Sequence, residues 1–390
     1  MFISLDLETT GINPDKDKII EFGAVKFDLK GNTETLQTLI HPGITLPEII
    51  THITGITDED LKNAPPFQEK AEEISAFIGD LPIIGHNIQF DTSFLRNHHI
   101  ELKNPEYDTV QLASILFPGL NSYSLEILTH LLDLKHKDKH RALDDAVAAM
   151  ELFLKLKDKF QELDPDLIKK IHSLCEKTQW PTAKFLKTLP PTKSKTHILP
   201  PLTALPKSPL PENYKELLNT KKSQLFQISP PYYSLIQSLA KDAHKDTYIS
   251  VPHMLFHDLT PTLPDSITKI DSPKKYISQR RLSEFENKKF FEDYEFTGLI
   301  KTLVWLKQTK TGLLPEIIFF NQEKQIILHI NADKDFTELK DEPFVQKAME
   351  KDKTSPAICS HQYLIDQKPE IKDLILIDLD KFTKSIFYEQ

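Results

Sequence analysis

Glycine is scarce in this 390-residue chain, and its scarcity is uneven. Of 10 glycines, eight lie at or before Gly119, and none falls between Gly119 and Gly298. A loop that wraps a nucleotide's phosphates needs bare backbone followed by Lys and Ser or Thr, so the middle of the chain holds no such loop. Cysteine is scarcer still. Cys175 and Cys359 cannot supply a disulfide framework, a four-cysteine zinc site or a four-cysteine iron–sulfur cluster, and a reducing cytoplasm is the expected setting. Basic charge is in deficit: 48 Lys and Arg face 57 Asp and Glu, a formal net charge of −9. That balance excludes a protein that coats nucleic acid without selectivity, but leaves room for an enzyme that grips a few phosphates. No apolar run approaches the roughly 18 residues of a membrane span. Acids stand at positions 6 and 8 with no basic leader before them, so no signal peptide is expected.

Residues 1–160 read as one α/β domain. Three alternating or apolar runs, Phe2–Leu7, Ile19–Asp28 and Glu34–His41, are separated by turn-like segments and predict an antiparallel meander. Thr57-Asp-Glu-Asp marks a helix start, with helical period continuing through Phe67–Ile78. Pro82–Gly85 reads as a short buried strand, and helices are expected at Asp91–His98, Thr109–Leu116, Ser124–Leu132 and Ala142–Phe160. Strands first and helices afterwards suit a mixed sheet covered by helices.

Residues 161–221 read as a short helix (164–178) followed by a Pro/Lys-rich linker. Positions 181–211 carry eight prolines, which predicts an extended spacer rather than a helix, and 165–222 hold 11 lysines against four acids. Residues 222–390 read as a second, smaller α/β domain. Its strands are expected at Asp246–Val251, Glu316–Phe320, Gln325–Ile330, Ala357–Ser360 and Asp373–Leu379, with helices at Phe285–Gln308 and Phe344–Asp352.

Chemistry concentrates in the first domain. Alternation puts Asp6 and Glu8 on the same face of the opening strand, where two adjacent acids repel each other unless a divalent cation lies between them. Gly85-His-Asn-Ile-Gln-Phe-Asp91 places another acid at a helix start after a buried strand. Tyr107-Asp-Thr109 opens a further helix, and His140-Arg-Ala-Leu-Asp-Asp145 puts a histidine before a long helix and an acid in its first turn.

This set, in this order, resembles the DEDDh (DnaQ-like) 3′→5′ exonucleases, which include bacterial proofreading epsilon subunits, oligoribonuclease and RNase T. The resemblance covers residues 1–160 and includes Ile53-Thr-Gly-Ile56, Leu116-Phe-Pro-Gly119 and Tyr123-Ser-Leu125. It implies an RNase H-like mixed sheet and two divalent ions, Mg²⁺ or Mn²⁺, about 3.5–4 Å apart. By the same resemblance Asp6, Glu8, Asp91 and Asp145 are the metal ligands. Asp6 bridges both ions, Glu8 and Asp145 complete the one that holds the attacking water, and Asp91 completes the other. His140 is the general base. The five-residue step from His140 selects Asp145 over its neighbour Asp144. Thr9, Asn87 and Phe90 match positions lining the terminal-nucleotide pocket, and His86 reads as a structural support of its turn.

In the second domain, Lys275-Tyr-Ile-Ser-Gln-Arg-Arg-Leu282, Leu303-Val-Trp-Leu306, Thr309-Lys-Thr-Gly312, Ser360-His-Gln-Tyr-Leu364 and Leu374-Ile-Leu-Ile-Asp378-Leu-Asp380 resemble a DinG-type helicase lobe. The phosphate-binding loop is missing. Where the family has Asp-Glu-Ala-His, this chain has Asp378-Leu-Asp-Lys381, and it ends before a second motor lobe. The expectation is a degenerate lobe without ATPase or helicase activity and without a nucleotide triphosphate cofactor. The whole reads as a metal-dependent exonuclease acting on 3′ ends of single-stranded DNA. An RNA exonuclease of the same superfamily and a non-catalytic nucleic-acid-binding scaffold are the alternatives.

Overall fold

The computed structural model describes residues 1–134, 140–192, 233–243, 247–252, 267–332, 342–351, 356–360, 362–364 and 373–377, together with Phe256, Leu259 and Leu263. The prolines from 200 to 211 and the Asp378–Lys381 segment lie outside the described residues. The chain forms two compact units, one of residues 1–197 with 289–304, the other of 198–288 with 305–390.

In the first unit, β1 (Phe2–Thr9), β2 (Ile19–Phe27) and β3 (Thr33–Leu39) form the expected antiparallel meander. β4 (Ile83–Gly85) pairs parallel with β1, and β5 (Glu106–Asp108) pairs parallel with β4, giving the order β3-β2-β1-β4-β5. This is an RNase H-like mixed sheet with β1 at its centre.

Period-two alternation gives β1 two unlike faces. Ile3, Leu5 and Leu7 point into a core with Phe22, Ala24 and Ile83, closed by Ile74 and Ile78 of α3 (Phe67–Ile78) and Phe94 of α4 (Gln89–Asn97). Phe2 opens the opposite face, which α7 (Ala142–Gln161) covers. There the Phe2 ring lies 5.5 Å from Phe27, 5.8 Å from Phe153 and 5.8 Å from Phe185. One end of this face is thus anchored in an aromatic stack, while the other end carries Asp6 and Glu8.

Two short elements between the predicted ones carry weak periodic signals, a helix α1 at Glu48–Thr54 and β5 itself. The helix start at Thr57 is real: a capping box joins Thr57 and Asp60, but α2 (Asp58–Leu61) is one turn long and stops before Pro65 and Pro66. α5 (Thr109–Leu116) and α6 (Leu125–Leu131) match their expected ranges to within a residue.

After α7 the chain stays on the first unit. α8 (Pro165–Leu174) is followed by α9 (Pro181–Lys187), a helix where the proline count predicts an extended spacer. The reason is local: Pro181 sits in the first turn, where no backbone N–H is required and φ is already helical. α9 delivers Phe185, 7 % exposed, onto Phe2, Tyr107 and Phe153; truncating so buried a ring to Ala costs about 3–5 kcal/mol. Trp180 donates its indole N–H to Gln111 and packs 5.8 Å from Phe296, so residues 289–304, read from sequence as part of the second domain, cluster with the first unit.

The second unit contains an all-parallel four-stranded sheet in the order β7-β8-β6-β9, with β6 at Thr247–Val251, β7 at Thr268–Ile270, β8 at Ala357–Ser360 and β9 at Asp373–Leu376. Two expected strands are absent. Glu316–Phe320 follows a 3₁₀ turn (Leu314–Glu316), and 325–330 is helical, with Ile326 and Ile330 buried one turn apart. Short apolar runs fit a buried strand and a buried helical turn equally well, and packing decided these. The single helix expected over 285–308 is two, Gln279–Glu286 and Asp293–Leu306, while the helix expected from Phe344 spans Pro343–Lys351.

Candidate active site

Three segments bring acids to the open end of β1. The strand itself carries Asp6 and Glu8. Asp91, in the first turn of α4, is 3 % exposed and its Oδ1 accepts the Leu7 amide at 2.9 Å, clamping α4 to the strand between the two other acids. Asp145, in the first turn of α7, accepts the backbone N–H of His140 at 3.3 Å.

β2 determines where α7 begins. Gly23 stands opposite Asp6 in the β1–β2 register, and a Cβ on it would come within 2.2 Å of the Ala142 and Leu143 backbone. Only glycine lets the helix start press this close. Glu21, opposite Glu8 and fully buried, accepts from Arg141 and from the Ala142 amide.

The electrostatics are those of crowded carboxylates. Burial, and then Asp91, Asp145, Glu8 and Glu21, hold the Asp6 carboxyl well above the usual range. Burial, Asp145 and Glu21 push Glu8 up to about 8, with Arg141 opposing. Asp91 is also raised well above the usual range, chiefly by burial, although the Leu7 amide pulls it down. Ligand-capable atoms of Glu8, Asp145 and His140 all lie within 4.8 Å of one another. Oxygen-rich, mutually repelling donors of this kind fit a hard divalent cation, whose charge removes the repulsion. Glu8, Asp145 and His140 are the residues placed to hold it together; Asp6, Asp91 and Asp144 are outside this tight group, although the charges of Asp91, Asp145 and Glu8 all act on Asp6.

The other expected site residues behave unequally. His140 is exposed beside Asp145, with φ of 62°. Thr9 is buried, its hydroxyl donating to the Gly11 carbonyl at 2.6 Å and so holding its own turn. Asn87 is exposed, adopts φ of 65° and donates its backbone N–H to Asp108 Oδ1 at 3.1 Å. Phe90 is half-buried, 5.0 Å from Phe94. His86 contacts the Thr109 hydroxyl at 2.9 Å, in keeping with a structural role.

Asp108 and Arg141 stand inside the sequence motifs without an assigned role, and Glu21 stands outside them. Asp108 caps α5, and burial pushes its carboxyl up to about 6. Glu21 and Arg141 form the anchor at the start of α7. The only sequence signal for Glu21 is an acid inside the apolar run Ile19–Phe27, which alternation alone does not flag.

The family model described as an exonuclease (RNase T) matches residues 3–153. The DNA polymerase III subunit epsilon of Aquifex aeolicus is 34% identical over 160 residues, 40% of this chain and 79% of that protein. The 3′-5′ exonuclease DinG of Bacillus subtilis is 34% identical over 181 residues, 45% of this chain and 19% of that one. The PolC-type DNA polymerase III of Caldanaerobacter subterraneus subsp. tengcongensis is 34% identical over 177 residues, 44% of this chain and 13% of that one. The chain therefore spans less than a fifth of these two longer relatives, but most of an epsilon subunit at the same identity. On that coverage, this chain belongs to the 3′-5′ exonuclease family of the DNA polymerase III epsilon subunits.

Proposed function

We propose that this chain hydrolyses phosphodiester bonds from the 3′ end of single-stranded DNA, releasing nucleoside monophosphates with two divalent ions, Mg²⁺ or Mn²⁺. The observation that carries this reading is the convergence of Asp6, Glu8, Asp91 and Asp145 from three chain segments, with the His140 ring beside them. The 3′-5′ direction is the one named for the Bacillus relative. When bound, the ions activate a water and stabilise the charge that builds on the attacking and leaving oxygens.

The chain's own groups have separate tasks. Asp6, Glu8, Asp91 and Asp145 would hold the ions, Asp6 as a ligand of both, Glu8 and Asp145 toward the attacking water, and Asp91, already fixed by the Leu7 amide, toward the leaving group. A ring nitrogen of His140 takes the proton from the attacking water. Thr9, Asn87 and Phe90 border the terminal nucleotide.

The second unit serves this site as a docking module without ATPase or helicase activity. Support comes from the missing phosphate loop and from a cleft of about 790 Å³ bordered by Lys274, Lys275 and Lys324, suited to a phosphodiester backbone. Two buried free thiols fit a reducing cytoplasm, and among the described residues no helix is long and apolar enough to cross a membrane.

The test incubates the intact protein with matched single-stranded DNA and RNA oligonucleotides, labelled at either end, with Mg²⁺, Mn²⁺ or EDTA. Metal-dependent release of mononucleotides from the 3′ end, faster on DNA, is expected. Faster release from RNA would transfer the substrate assignment, and absence of release with either metal would sink the reading.

A further inference from the structure

We propose that Glu21 is a positioning residue for the exonuclease reaction. Through Arg141 and the Ala142 amide it fixes the backbone that presents His140. The inference rests on the proposed role of His140 as the general base.

Glu21 is wholly buried on β2, and its two oxygens collect four donors. Oε1 accepts from Arg141 Nη2 at 2.7 Å and from Gln37 Nε2 at 2.8 Å; Oε2 accepts from Arg141 Nε at 3.2 Å and from Ala142 N at 3.0 Å. With both oxygens occupied, Glu21 is not another metal ligand, although it shares a sheet face with Glu8. Three of the four bonds run to residues about 120 positions away, immediately after His140. The guanidinium engages both oxygens as a fork, which fixes direction as well as distance.

A buried acid that only stabilised the fold could sit anywhere along the helix. This one holds the backbone directly after a residue of unfavourable conformation. His140 has φ of 62°, in the left-handed region that non-glycine residues rarely adopt. On its own side, its backbone N–H reaches Asp145 Oδ2 at 3.3 Å. On the other side the chain is hooked to β2 by Glu21 and pressed against Gly23. Releasing the hook leaves the fold's core intact but lets the His140 loop relax toward ordinary backbone angles, carrying the imidazole away from the acids.

Two variants cut this link differently. Glu21→Gln keeps the shape and removes the charge and one acceptor; Arg141→Lys keeps the charge and removes the fork. With Mg²⁺ and 3′-labelled single-stranded DNA, each is expected to lower kcat roughly 10–100-fold, with KM within about threefold of wild type. In a His140→Ala background, Glu21→Gln is expected to change kcat by less than about threefold, because a residue acting through His140 has little left to lose. Amide hydrogen exchange over residues 140–146 should accelerate in both variants, while exchange in β1 and β4 stays unchanged.

Losses that simply multiply with His140→Ala, an effect on KM alone, or unchanged exchange in a folded variant would each overturn the proposal. Exchange needs no activity, so if the wild type proves inactive the functional reading fails while the hook is still decided. If Glu21→Gln does not fold, Arg141→Lys carries the same cycle from a side chain 40% exposed.

Discussion

In the second unit Glu316 receives the indole N–H of Trp305 at 3.0 Å and the Thr309 hydroxyl at 2.7 Å. Glu342, 6 % exposed, receives the Ser278 hydroxyl and the Gln279 amide, and Glu323 receives the Phe320 amide. Each acid accepts neutral donors and fastens a turn or a helix start. In the first unit, Asp6 and Glu8 are acted on by burial and by neighbouring charges, with no hydrogen-bond donor among the described residues. The difference separates two uses of one side chain. A buried acid among donors is finished structure; a half-buried acid among acids, as Asp6 and Glu8 are, is a place where a cation would relieve the repulsion.

The sharpest test of this contrast is Asp6→Asn. Nuclease activity should fall by roughly 10²–10³-fold or more. The metal-free protein should nevertheless melt higher, since each ~1 kcal/mol of relieved repulsion moves Tm by about 2–4 °C in a unit of this size. Loss of both activity and stability, read by oligonucleotide digestion and calorimetry, would reassign Asp6 to the structural class.

The next effect is on pH dependence. Glu8 titrates at about 8 in the fold against an ordinary value of 4.5, so the folded state keeps a proton that the unfolded state has already lost. Unfolding therefore releases a proton between those limits, and stability contributed by this group is present below about 4.5 and is lost as pH rises to about 8. Asp6 and Asp91 act in the same direction. Tm of metal-free protein should decline across this range, and added Mg²⁺ or Mn²⁺ should raise it more at pH 8 than at pH 5. A metal effect independent of pH would contradict ligation by these acids.

Glu342→Gln tests the other side of the comparison. Weakening its paired acceptor set should cost about 1–3 kcal/mol of stability, seen in a denaturant titration, and leave the rate of nucleotide release unchanged. The smallest effect is expected from the lysine cleft. Replacing Lys274, Lys275 and Lys324 together by Ala should leave kcat alone and reduce the salt slope of single-stranded DNA affinity by about two. An unchanged slope would remove the docking role from this cleft.

Periodicity and helix starts marked where the acids stand, Asp6 and Glu8 by alternation and Asp91 and Asp145 in first turns, but their expected roles as a set came from the resemblance to the exonuclease family. The meander and α5 were legible for the same reason. What escaped was set by contacts between distant segments. Glu21 is an interior acid whose partners lie some 120 residues on, and no local pattern shows them. α9 was hidden by a proline count that ignored where in a helix proline is welcome. The strands expected at 316–320 and 325–330 failed because an apolar run of five or six residues has no period long enough to distinguish strand from helix. Thr9, expected from the resemblance to border the substrate, donates its hydroxyl to its own turn, a local contact that strand alternation does not show.

The membership of residues 289–304 in the first unit has a consequence for how the chain can be divided. The path leaves that unit and later returns to it, placing Phe291 on the Lys177 carbonyl and Phe296 against Trp180. No single cut therefore yields the nuclease unit whole. A fragment ending at 160 strips Phe185 from the aromatic stack under β1, and one ending at 192 still leaves Trp180 without its lid. The interval between 192 and 289 is thus a tether as much as a domain: what lies in it must let one polypeptide close its first unit with its own later helix.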